Sequence, residues 1–419
     1  MSLRETVSPV QVIPSEWKLS EFGEFVEQVK LRNSTNEKMI VLSVTNNRGI
    51  IPQEKTFTKK IHSENLTNYL VVKKGQFAFN PSRINVGSIG LLRDYDKGLL
   101  SPIYTVFEVK NGIDPEFLDY FLKSKLAKEQ IRKFSSISIR AKLTFDDLSN
   151  FEIALPPFNE QRKIGEILRS VDEVVHKTDQ IIATTQQFRK GLTQQLLTKG
   201  IGHANFKKKE IGAIPDDWSV VELADVLTEP IRNGYSPRSP RAETGKWVLT
   251  LSAVSADGFR PDQIKPTPLG DANVDRCRLR EGDILVSRSN TRELVGLSGL
   301  YLGIPANCSY PDLMMRIRVD EARVDNIFLE AWLRHPISRK YLTRNARGTS
   351  GSMLKINGSI LSKLPVPIPS LSEQKEIAKR LASLDASMIL ERNYNERIQR
   401  LKKGLMQVLF AGKVKVKVN

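Results

Sequence analysis

Apolar residues, with a few polar interruptions, recur every seven positions in two long stretches of the chain, residues 158–198 and 371–411. In the first stretch this spacing is kept by Ile164, Val171, Thr178, Thr185 and Leu192, with a companion row of Ile167, Val174, Ile181 and Phe188. In the second stretch it is kept by Ile377, Leu384, Glu391, Ile398 and Leu405, joined by Leu381, Met388, Tyr394 and Leu401. A seven-residue repeat held over four or five heptads predicts two long helices with a coiled-coil seam.

The two stretches are near-copies of each other. The first begins LPPFNEQRKIGEIL and ends FRKGLTQQLL, and the second begins IPSLSEQKEIAKRL and ends LKKGLMQVLF. A constant shift of 213 residues places Glu160 on Glu373 and Asp172 on Asp385. A period of about half the chain indicates an internal repeat.

Residues 1–156 show the mixed pattern of an α/β domain. Short apolar runs bounded by glycine, asparagine and lysine predict strands at residues 39–44, 70–72, 76–79, 89–92, 104–109 and 151–155. Asp114 is a good N-cap and Pro115 suits the first helical position, so we expect a helix from there to about Phe134.

The same plan returns in the third quarter of the chain. The Ile-Pro-x-x-Trp opening at Trp17 recurs at Trp218, and the strand start at residues 74–78 recurs at residues 281–285. The shift drifts from 201 to 213, which indicates small insertions in the loops. The predicted organisation is a first globular domain at 1–156, a long helix and linker at 157–203, a second globular domain at 204–367 and a second long helix at 368–419.

The predicted fold class is α/β with mixed α+β character: two similar globular domains, separated by two long helices and related by a pseudo-twofold internal repeat. Two such helices within one chain pair most simply as an antiparallel coiled coil, and about 40 residues make a rod of roughly 60 Å. The alternative is that they are packing helices of one large α/β protein. Their duplication beside a duplicated domain favours the coiled coil.

The charge of the chain predicts a polyanionic partner. The formal net charge is +17 and the pI is about 9.7, and a basic surface gains affinity for nucleic acid by releasing counterions from phosphates. The alternative is a basic protein that meets acidic proteins or is kept soluble by its charge. With two separated cysteines and no stretch approaching 18 apolar residues, we expect a cytoplasmic protein with no membrane segment.

No catalytic constellation is evident in the sequence. It contains no GxxxxGK[ST] phosphate loop and no glycine-rich strand-to-helix turn, so neither a nucleotide site nor a methyl-donor pocket is expected. The four histidines are scattered, and no cluster has the spacing of a metal site. We therefore expect a binding protein without catalytic residues, metal or cofactor.

Basic, amide and hydroxyl side chains that cluster in loops, after predicted strands or beside the serine-rich stretch 135–142, are the candidates for contacting DNA. Arginine can bind guanine or phosphate, and asparagine can pair with adenine. The first-domain candidates are Lys59, Lys60, Asn80, Ser82, Arg83, Asn85, Arg132, Lys133, Arg140 and Lys142. The second-domain candidates are Arg232, Asn233, Arg238, Arg241, Arg288, Asn290, Arg292, Arg344, Arg347, Ser350 and Lys355. Any one of them alone is more simply a solvated surface residue. The placement of Arg and Asn in equivalent loops of both copies is the stronger indication.

The IPxxW openings at Trp17 and Trp218, the LPPFNEQ and IPSLSEQ helix starts and the KGL helix ends together resemble the specificity (S) subunits of type I restriction–modification enzymes. The resemblance covers essentially the full length. It implies that each globular domain is a target recognition domain reading one half of a split DNA sequence. It also implies that the helices form an antiparallel spacer.

The resemblance further implies the partners of the chain. These are double-stranded DNA, two methyltransferase (M) subunits and, through them, motor/nuclease (R) subunits. Adenine N6 methylation from S-adenosylmethionine would belong to the M subunits, in agreement with the missing chemistry here. The residues that the resemblance marks as candidates for the scaffold or for subunit docking are Glu160, Gln161, Ile164, Leu168, Glu373, Gln374, Ile377 and Leu381.

Geometry adds an expectation about the DNA site. Two domains facing the same side of B-DNA sit about one helical turn, roughly 34 Å, apart. We therefore expect a bipartite asymmetric site whose halves are separated by several unread base pairs. Two alternatives remain at this point: a free-standing bipartite sequence-specific DNA-binding protein, and a coiled-coil scaffold with no nucleic-acid role.

Overall fold

The computed structural model of the protein describes residues 13–46, 49–55, 63–137, 142–256, 258–348 and 353–417. The chain forms two compact units, one of Met1–Gln180 with Asn393–Asn419 and the other of Ile181–Arg392. Each unit contains one globular domain together with one half of each long helix. The compact units therefore divide both helices, whereas the sequence pattern treats each helix as a segment of its own.

The first unit contains the strands and short helices that precede the first long helix. Its strands are β1 (Lys18–Glu21), β2 (Val26–Val29), β3 (Leu42–Thr45), β4 (Gly49–Pro52), β5 (Leu70–Lys73), β6 (Phe77–Phe79), β7 (Ile89–Leu91), β8 (Lys97–Leu100), β9 (Thr105–Val109) and β10 (Glu152–Leu155). Its short helices are α1 (Pro115–Lys123), α2 (Lys125–Ile137) and α3 (Phe145–Ser149). The first long helix, α4, is Phe158–Lys199.

The second unit repeats this content. Its strands are β11 (Phe206–Lys209), β12 (Gly212–Pro215), β13 (Ser219–Glu222), β14 (Arg232–Asn233), β15 (Trp247–Leu249), β16 (Val254–Ser255), β17 (Gly258–Phe259), β18 (Ile264–Pro266), β19 (Ile284–Ser287), β20 (Ser289–Asn290), β21 (Ser298–Leu300), β22 (Cys308–Ser309), β23 (Met314–Ile317), β24 (Leu354–Lys355) and β25 (Pro365–Ile368). Its short helices are α5 (Ala272–Arg276), α6 (Asn326–Arg334), α7 (Pro336–Asn345) and α8 (Gly358–Ser362). The second long helix, α9, is Leu371–Phe410.

A four-stranded antiparallel sheet organises the first unit, in the order β2-β9-β6-β7. Val29 at the end of β2 lies opposite Val106, and Phe79 at the end of β6 lies opposite Thr105. The carboxyl ends of β2 and β6 therefore lie at the same edge of the sheet, beside the amino end of β9.

The second unit has the same sheet, in the order β14-β23-β19-β21. Asn233 at the end of β14 lies opposite Met315, and Ser287 at the end of β19 lies opposite Met314. β14 is thus the counterpart of β2, and β19 is the counterpart of β6. The duplicated order confirms two globular copies of one mixed α/β fold.

In each domain the strand that follows Trp17 or Trp218 pairs with the last strand before the long helix. β1 pairs antiparallel with β10 in the first unit, and β13 pairs antiparallel with β25 in the second. In the second unit β15 pairs antiparallel with β18 and parallel with β22, which builds a further small sheet. These pairings bring the start of each domain to the point where a long helix begins.

The predicted helix at residues 115–134 is two helices, because the backbone at Ser124 is extended (φ −69°, ψ 167°). The Ser124 hydroxyl accepts a hydrogen bond from Ala127 N (3.2 Å), so it caps α2 rather than continuing α1. His335 makes the same break between α6 and α7, and its Nδ1 accepts from Ile337 N (3.3 Å). Burial lowers the pKa of His335 to about 4, which keeps the imidazole neutral and able to accept that bond.

The ends of the long helices are anchored in the cores of the domains. In the first unit the ring of Phe410, at the end of α9, packs against Phe117 of α1 with ring centroids 5.3 Å apart. In the second unit Leu197, at the end of α4, lies fully buried in the same core as Trp218. These contacts make each long helix a structural part of a domain.

Within each unit the two long helices run in opposite directions. In the first unit Asp172 of α4 pairs with Lys402 of α9, and Asp179 pairs with Asn395. As the residue number rises along α4, the residue number of its partner on α9 falls, so the two helices are antiparallel. In the second unit Arg189 forms a two-pronged ion pair with Asp385, in which Nη2 lies 2.8 Å from Oδ2. The antiparallel pairing that the repeat predicted is confirmed.

The companion row of the predicted seam is wrong in part. Val174, Ile181 and Phe188 are 37%, 50% and 59% exposed, and Tyr394 and Leu401 are also about half exposed. In α9 the less exposed positions lie one residue later, where buried Asn395 and half-buried Lys402 meet their carboxylate partners. Because these two seam positions are polar, the apolar pattern selected the neighbouring outward-facing residues Tyr394 and Leu401.

Candidate nucleic-acid interface

Several of the predicted DNA-contacting residues of the second unit lie at one edge of its sheet. The carboxyl ends of β14 and β19 lie at that edge on either side of β23, so the segments that begin at Gly234 and Arg288 leave the sheet at the same edge. Ser236 contacts Asp312, and Arg288 Nη1 lies 3.4 Å from the Asp312 carbonyl oxygen. The edge therefore joins three loops that are far apart in sequence.

A small ladder adds a fourth segment to this edge. Asn290 of β20 lies opposite Leu354 of β24, and Arg347 and Lys355 exchange both main-chain hydrogen bonds at 2.9 Å. Ile356 N donates to the Arg288 carbonyl (2.9 Å), which fixes the ladder beside the end of β19. These contacts place six of the predicted residues around one edge of the sheet: Arg232, Asn233, Arg288, Asn290, Arg347 and Lys355.

The cationic side chains on this surface are exposed. The exposed predicted residues in the described part of the second unit are Arg232, Asn233, Arg238, Arg241, Arg292, Arg344, Arg347 and Lys355. Arg288 and Asn290 are half-buried, and Asn290 uses its side-chain oxygen to accept from Thr291 N (2.9 Å). Ser350 lies outside the described residues. Exposed guanidinium groups in a cluster can reach both phosphates and base edges.

The first unit repeats this arrangement with different residues. Ser82, Arg83 and Asn85 are exposed in the loop after β6, and Leu143 N donates to the Pro81 carbonyl (3.0 Å), which brings exposed Lys142 beside that loop. This bond is the counterpart of the one from Ile356 to Arg288.

Two further first-unit candidates lie on helix α2. Arg132 and Lys133 are exposed, and α2 packs on the turn Ile84–Val86 within the same loop. Lys59, Lys60 and Arg140 lie outside the described residues.

Asn80 does not fit the predicted role of a DNA contact. Its side chain is 8% exposed, and its Oδ1 accepts from Ser82 N (3.0 Å), while its own N donates to the Ser88 carbonyl (3.0 Å). Asparagine often closes a turn through its own side chain in this way. Asn80 shapes the loop that carries Ser82 and Arg83.

Buried ion pairs hold the strands behind the second-unit surface. Glu229 Oε1 lies 2.8 Å from both Arg316 Nη2 and Arg318 Nη1, and Arg318 Nε lies 2.6 Å from Asp283 Oδ1. Desolvation acts to raise the pKa of Glu229, but the two guanidinium groups outweigh it and hold that pKa below its usual value. The network fixes β23 and its neighbours, so the loops at the edge start from a rigid base.

Sequence reasoning missed a groove at the same edge of the first unit. It is a cavity of about 320 Å³, and Gln28, Lys30, Arg32, Tyr104 and Thr105 are among its lining residues. Residues 18–29 have the pattern of a short amphipathic segment, and this pattern does not indicate the end of an edge strand. Its relation to Arg232 and Asn233 becomes visible only when the two sheets are compared.

The residues proposed for the scaffold or for docking are scaffold residues. Gln161 is buried, and its side chain bonds Asp114 N (2.9 Å), the Gly112 carbonyl (3.1 Å) and the Pro156 carbonyl (3.0 Å). Its counterpart Gln374 makes the same three bonds to its own domain. The four apolar members of the set, Ile164, Leu168, Ile377 and Leu381, are at most 2% exposed. They are therefore not available for contact with another subunit.

The two glutamates of the set hold the segment that follows the other helix. Glu373 accepts from Ile201 N (2.8 Å) and Trp218 Nε1 (3.1 Å), and its Oε1 lies 2.8 Å from His203 Nε2. Glu160 lies 3.5 Å from Val416 N. The docking half of this prediction is wrong, because these side chains satisfy buried groups of their own unit.

Across the described ranges, no three His, Cys, Asp or Glu side chains come together in a group that could hold a metal ion. No helix in the described part of the chain is long and apolar enough to cross a membrane.

The chain is similar in sequence to the specificity subunits of type I restriction enzymes. The family model of the type I restriction modification DNA specificity domain matches residues 14–186 and 215–400, once for each copy. The type I restriction enzyme MjaVIII specificity subunit of Methanocaldococcus jannaschii is 28% identical over 97% of this chain and 94% of its own length. The EcoKI specificity subunit of Escherichia coli is 27% identical over 71% of this chain and 65% of its own.

Solved structures share the fold. The S subunit of a type I restriction–modification system from M. genitalium aligns with a TM-score of 0.57 at 14% identity, covering 98% of both chains. A chain solved in work on complex assembly and conformational transition of the type I R-M system aligns with a TM-score of 0.56 at 18% identity, covering 96% of this chain and all of that one. The duplicated domain, the two basic sheet edges and the family match lead to one conclusion: the chain belongs to the DNA specificity subunits of type I restriction–modification systems.

Proposed function

We propose that each globular domain reads one half of a bipartite, asymmetric DNA site. The observation that carries this proposal is that the same sheet edge bears cationic loops in both units, but with different residues. Arg288 and Lys355 occupy the places that Pro81 and Lys142 hold in the first unit. Because base contacts depend on side-chain identity, two unlike edges on one fold read unlike half-sites.

The proposed boundaries follow the sequence repeat: recognition domains at 1–156 and 204–367, and helical segments at 157–203 and 368–419. The helices would set the distance between the two half-sites. The ion pairs Asp172–Lys402 and Asp385–Arg189 support a symmetric spacer, because a shift of 213 residues converts one pair into the other. The chain itself would contribute recognition only, and methyl transfer and DNA cleavage would belong to its partners.

Exchange of one domain tests the assignment of half-sites. Replacing residues 1–156 with the first domain of another family member should change one half of the methylated motif and leave the other half and the gap unchanged. The reason is that each edge makes its base contacts within one unit. Genome-wide methylation sequencing of a host carrying the complex measures this result. A simultaneous change of both halves would refute the domain assignment.

We further propose that the outward-facing apolar residues of the long helices dock two methyltransferase subunits. Ile181 and Phe188 are exposed on α4 in the second unit, and Tyr394 and Leu401 are exposed on α9 in the first. The shift of 213 residues converts the first pair into the second. Exposed apolar side chains at heptad spacing suit a helical partner, and one copy per unit gives two equivalent sites.

Substitution of the central apolar residue should remove one partner at a time. Phe188→Ser and Leu401→Ser are each expected to lower the number of bound methyltransferase subunits from two to one, and the double variant should bind none. Native mass spectrometry of the purified complex measures this stoichiometry. Leu269→Ser, which removes a 67% exposed apolar side chain outside the long helices, is the matched control. Retention of two partners by a folded double variant would count against these docking sites.

A further inference from the structure

The groove at the end of β2 has the composition of a site for a phosphate group. Lys30 and Arg32 contribute positive charge, and Gln28 and Thr105 contribute an amide and a hydroxyl. The apolar residues Val29, Leu70, Pro102 and Val106 also line the groove, but the two cations and the neighbouring hydrogen-bond donors distinguish it from a purely apolar pocket. An anion that accepts several hydrogen bonds suits it better than an apolar ligand.

The positive charge of the groove is not neutralised by its acidic neighbours. Glu27 lies 3.8 Å from Lys110, and Glu37 lies 2.7 Å from Lys97, so both carboxylates pair outside the groove. Among the described residues, Lys30 has no ion-pair partner and is exposed. Arg32 donates one bond, from Nη1 to the Asn68 carbonyl at 3.1 Å, and a guanidinium group has five N–H donors.

The second unit places its own cation at the corresponding point. Val29 faces Val106, the partner of Ala78, and Arg232 faces Arg316, the partner of Leu285, so Val29 is the counterpart of Arg232 and Lys30 follows directly after it. The sequence marks Arg232 and Asn233 as candidate DNA contacts, but no such motif marks residues 28–32. Both copies of the fold therefore carry positive charge where the first edge strand ends.

The distance from the groove to the recognition loop matches the dimensions of DNA. The ends of β2 and β6 are two strand spacings apart, which is about 10 Å. The major groove is about 12 Å wide. The loop that carries Ser82 and Arg83 can therefore enter the major groove of DNA while Lys30 contacts the sugar–phosphate backbone beside that groove.

We propose that Lys30 and Arg32, in the groove at the carboxyl end of β2, bind a backbone phosphate of double-stranded DNA next to the half-site read by the first domain. The proposal rests on the DNA-recognition function of the chain and extends it to residues outside the predicted contact set. Phosphate contacts fix the position of a protein on DNA without reading sequence. The site therefore positions the first domain for the loop after β6.

The salt dependence of DNA binding tests this site. Each lost phosphate contact reduces the slope of log K against log salt concentration by about 0.9. We expect Lys30→Ala to reduce the slope by about 0.9 and Lys30→Ala/Arg32→Ala to reduce it by about 1.8. The measurement uses the full chain assembled with its methyltransferase subunits, on specific and nonspecific duplexes. Affinity should fall equally on both, and the methylated motif should not change.

Lys74→Ala is the matched control, because Lys74 is an exposed lysine that precedes β6 and so lies toward the opposite edge of the sheet. It should leave the slope unchanged. If the double variant melts at the unaltered temperature and keeps the full slope, the phosphate site is refuted while DNA recognition stands. If the unaltered complex shows no salt-dependent, sequence-specific binding, both the site and the DNA function are refuted.

Discussion

Lengthening both long helices by one heptad should widen the unread gap of the DNA site by about three base pairs. Seven helical residues add about 10 Å, and each base pair of B-DNA spans about 3.4 Å. Duplicating residues 174–180 in α4 and residues 394–400 in α9 inserts segments that face each other and repeats the contact between Asp179 and Asn395. The two half-site sequences should stay the same, and methylome sequencing gives both the halves and the gap.

The lengthened chain should also methylate less efficiently. Three base pairs turn the second half-site by roughly 100° around the DNA axis, since one turn takes about 10.5 base pairs. Duplication in α4 alone is the control, because it shifts the seam and separates Asp172 from Lys402; loss of methylation rather than a new gap is expected. An unchanged gap, or a changed half-site sequence, would contradict the role of the helices as a spacer.

The repeat was readable from the sequence because it was encoded in local patterns. The matching sequence positions also match in the structure. Glu160 and Glu373 lie at the starts of the long helices, and Trp17 and Trp218 lie at the starts of the globular domains. The details of the seam were not readable. Asn395 is buried because Asp179 faces it, and that partner lies 216 residues away.

The sequence indicates part of the proposed recognition surface but not all its members. Exposed Arg83 and Arg292 lie in loops after strands, and such loops carry contact residues in many folds. Asn80 was misassigned because a side chain that closes a turn looks the same in sequence as one that faces DNA. Lys30 was missed because its significance depends on the pairing of β2 with β9, a contact between distant segments.

Loss of the Gln374 side chain should destabilise the second unit strongly. Its amide bonds Asp325 N (2.9 Å), the Arg323 carbonyl (3.1 Å) and the Pro369 carbonyl (3.0 Å), and the residue is fully buried. Gln374→Ala leaves these three groups without their partner, and an unsatisfied buried group costs about 1–3 kcal/mol. We expect the free energy of unfolding of this unit to fall by about 3 kcal/mol or more.

The repeat gives this prediction an internal comparison. Gln161→Ala should destabilise the first unit instead, because Gln161 makes the equivalent three bonds there. Hydrogen exchange followed by mass spectrometry distinguishes the effects of Gln161→Ala and Gln374→Ala, since each variant should speed amide exchange mainly in its own unit. Gln186→Ala, at an exposed glutamine of α4, should change amide exchange in neither unit.

Gln374→Glu should not restore stability, because a carboxylate accepts from Asp325 N but cannot donate to the two carbonyls. Equal protection of the second unit in Gln374→Ala and the unaltered chain would show that this buried amide does not hold the domain to its helix.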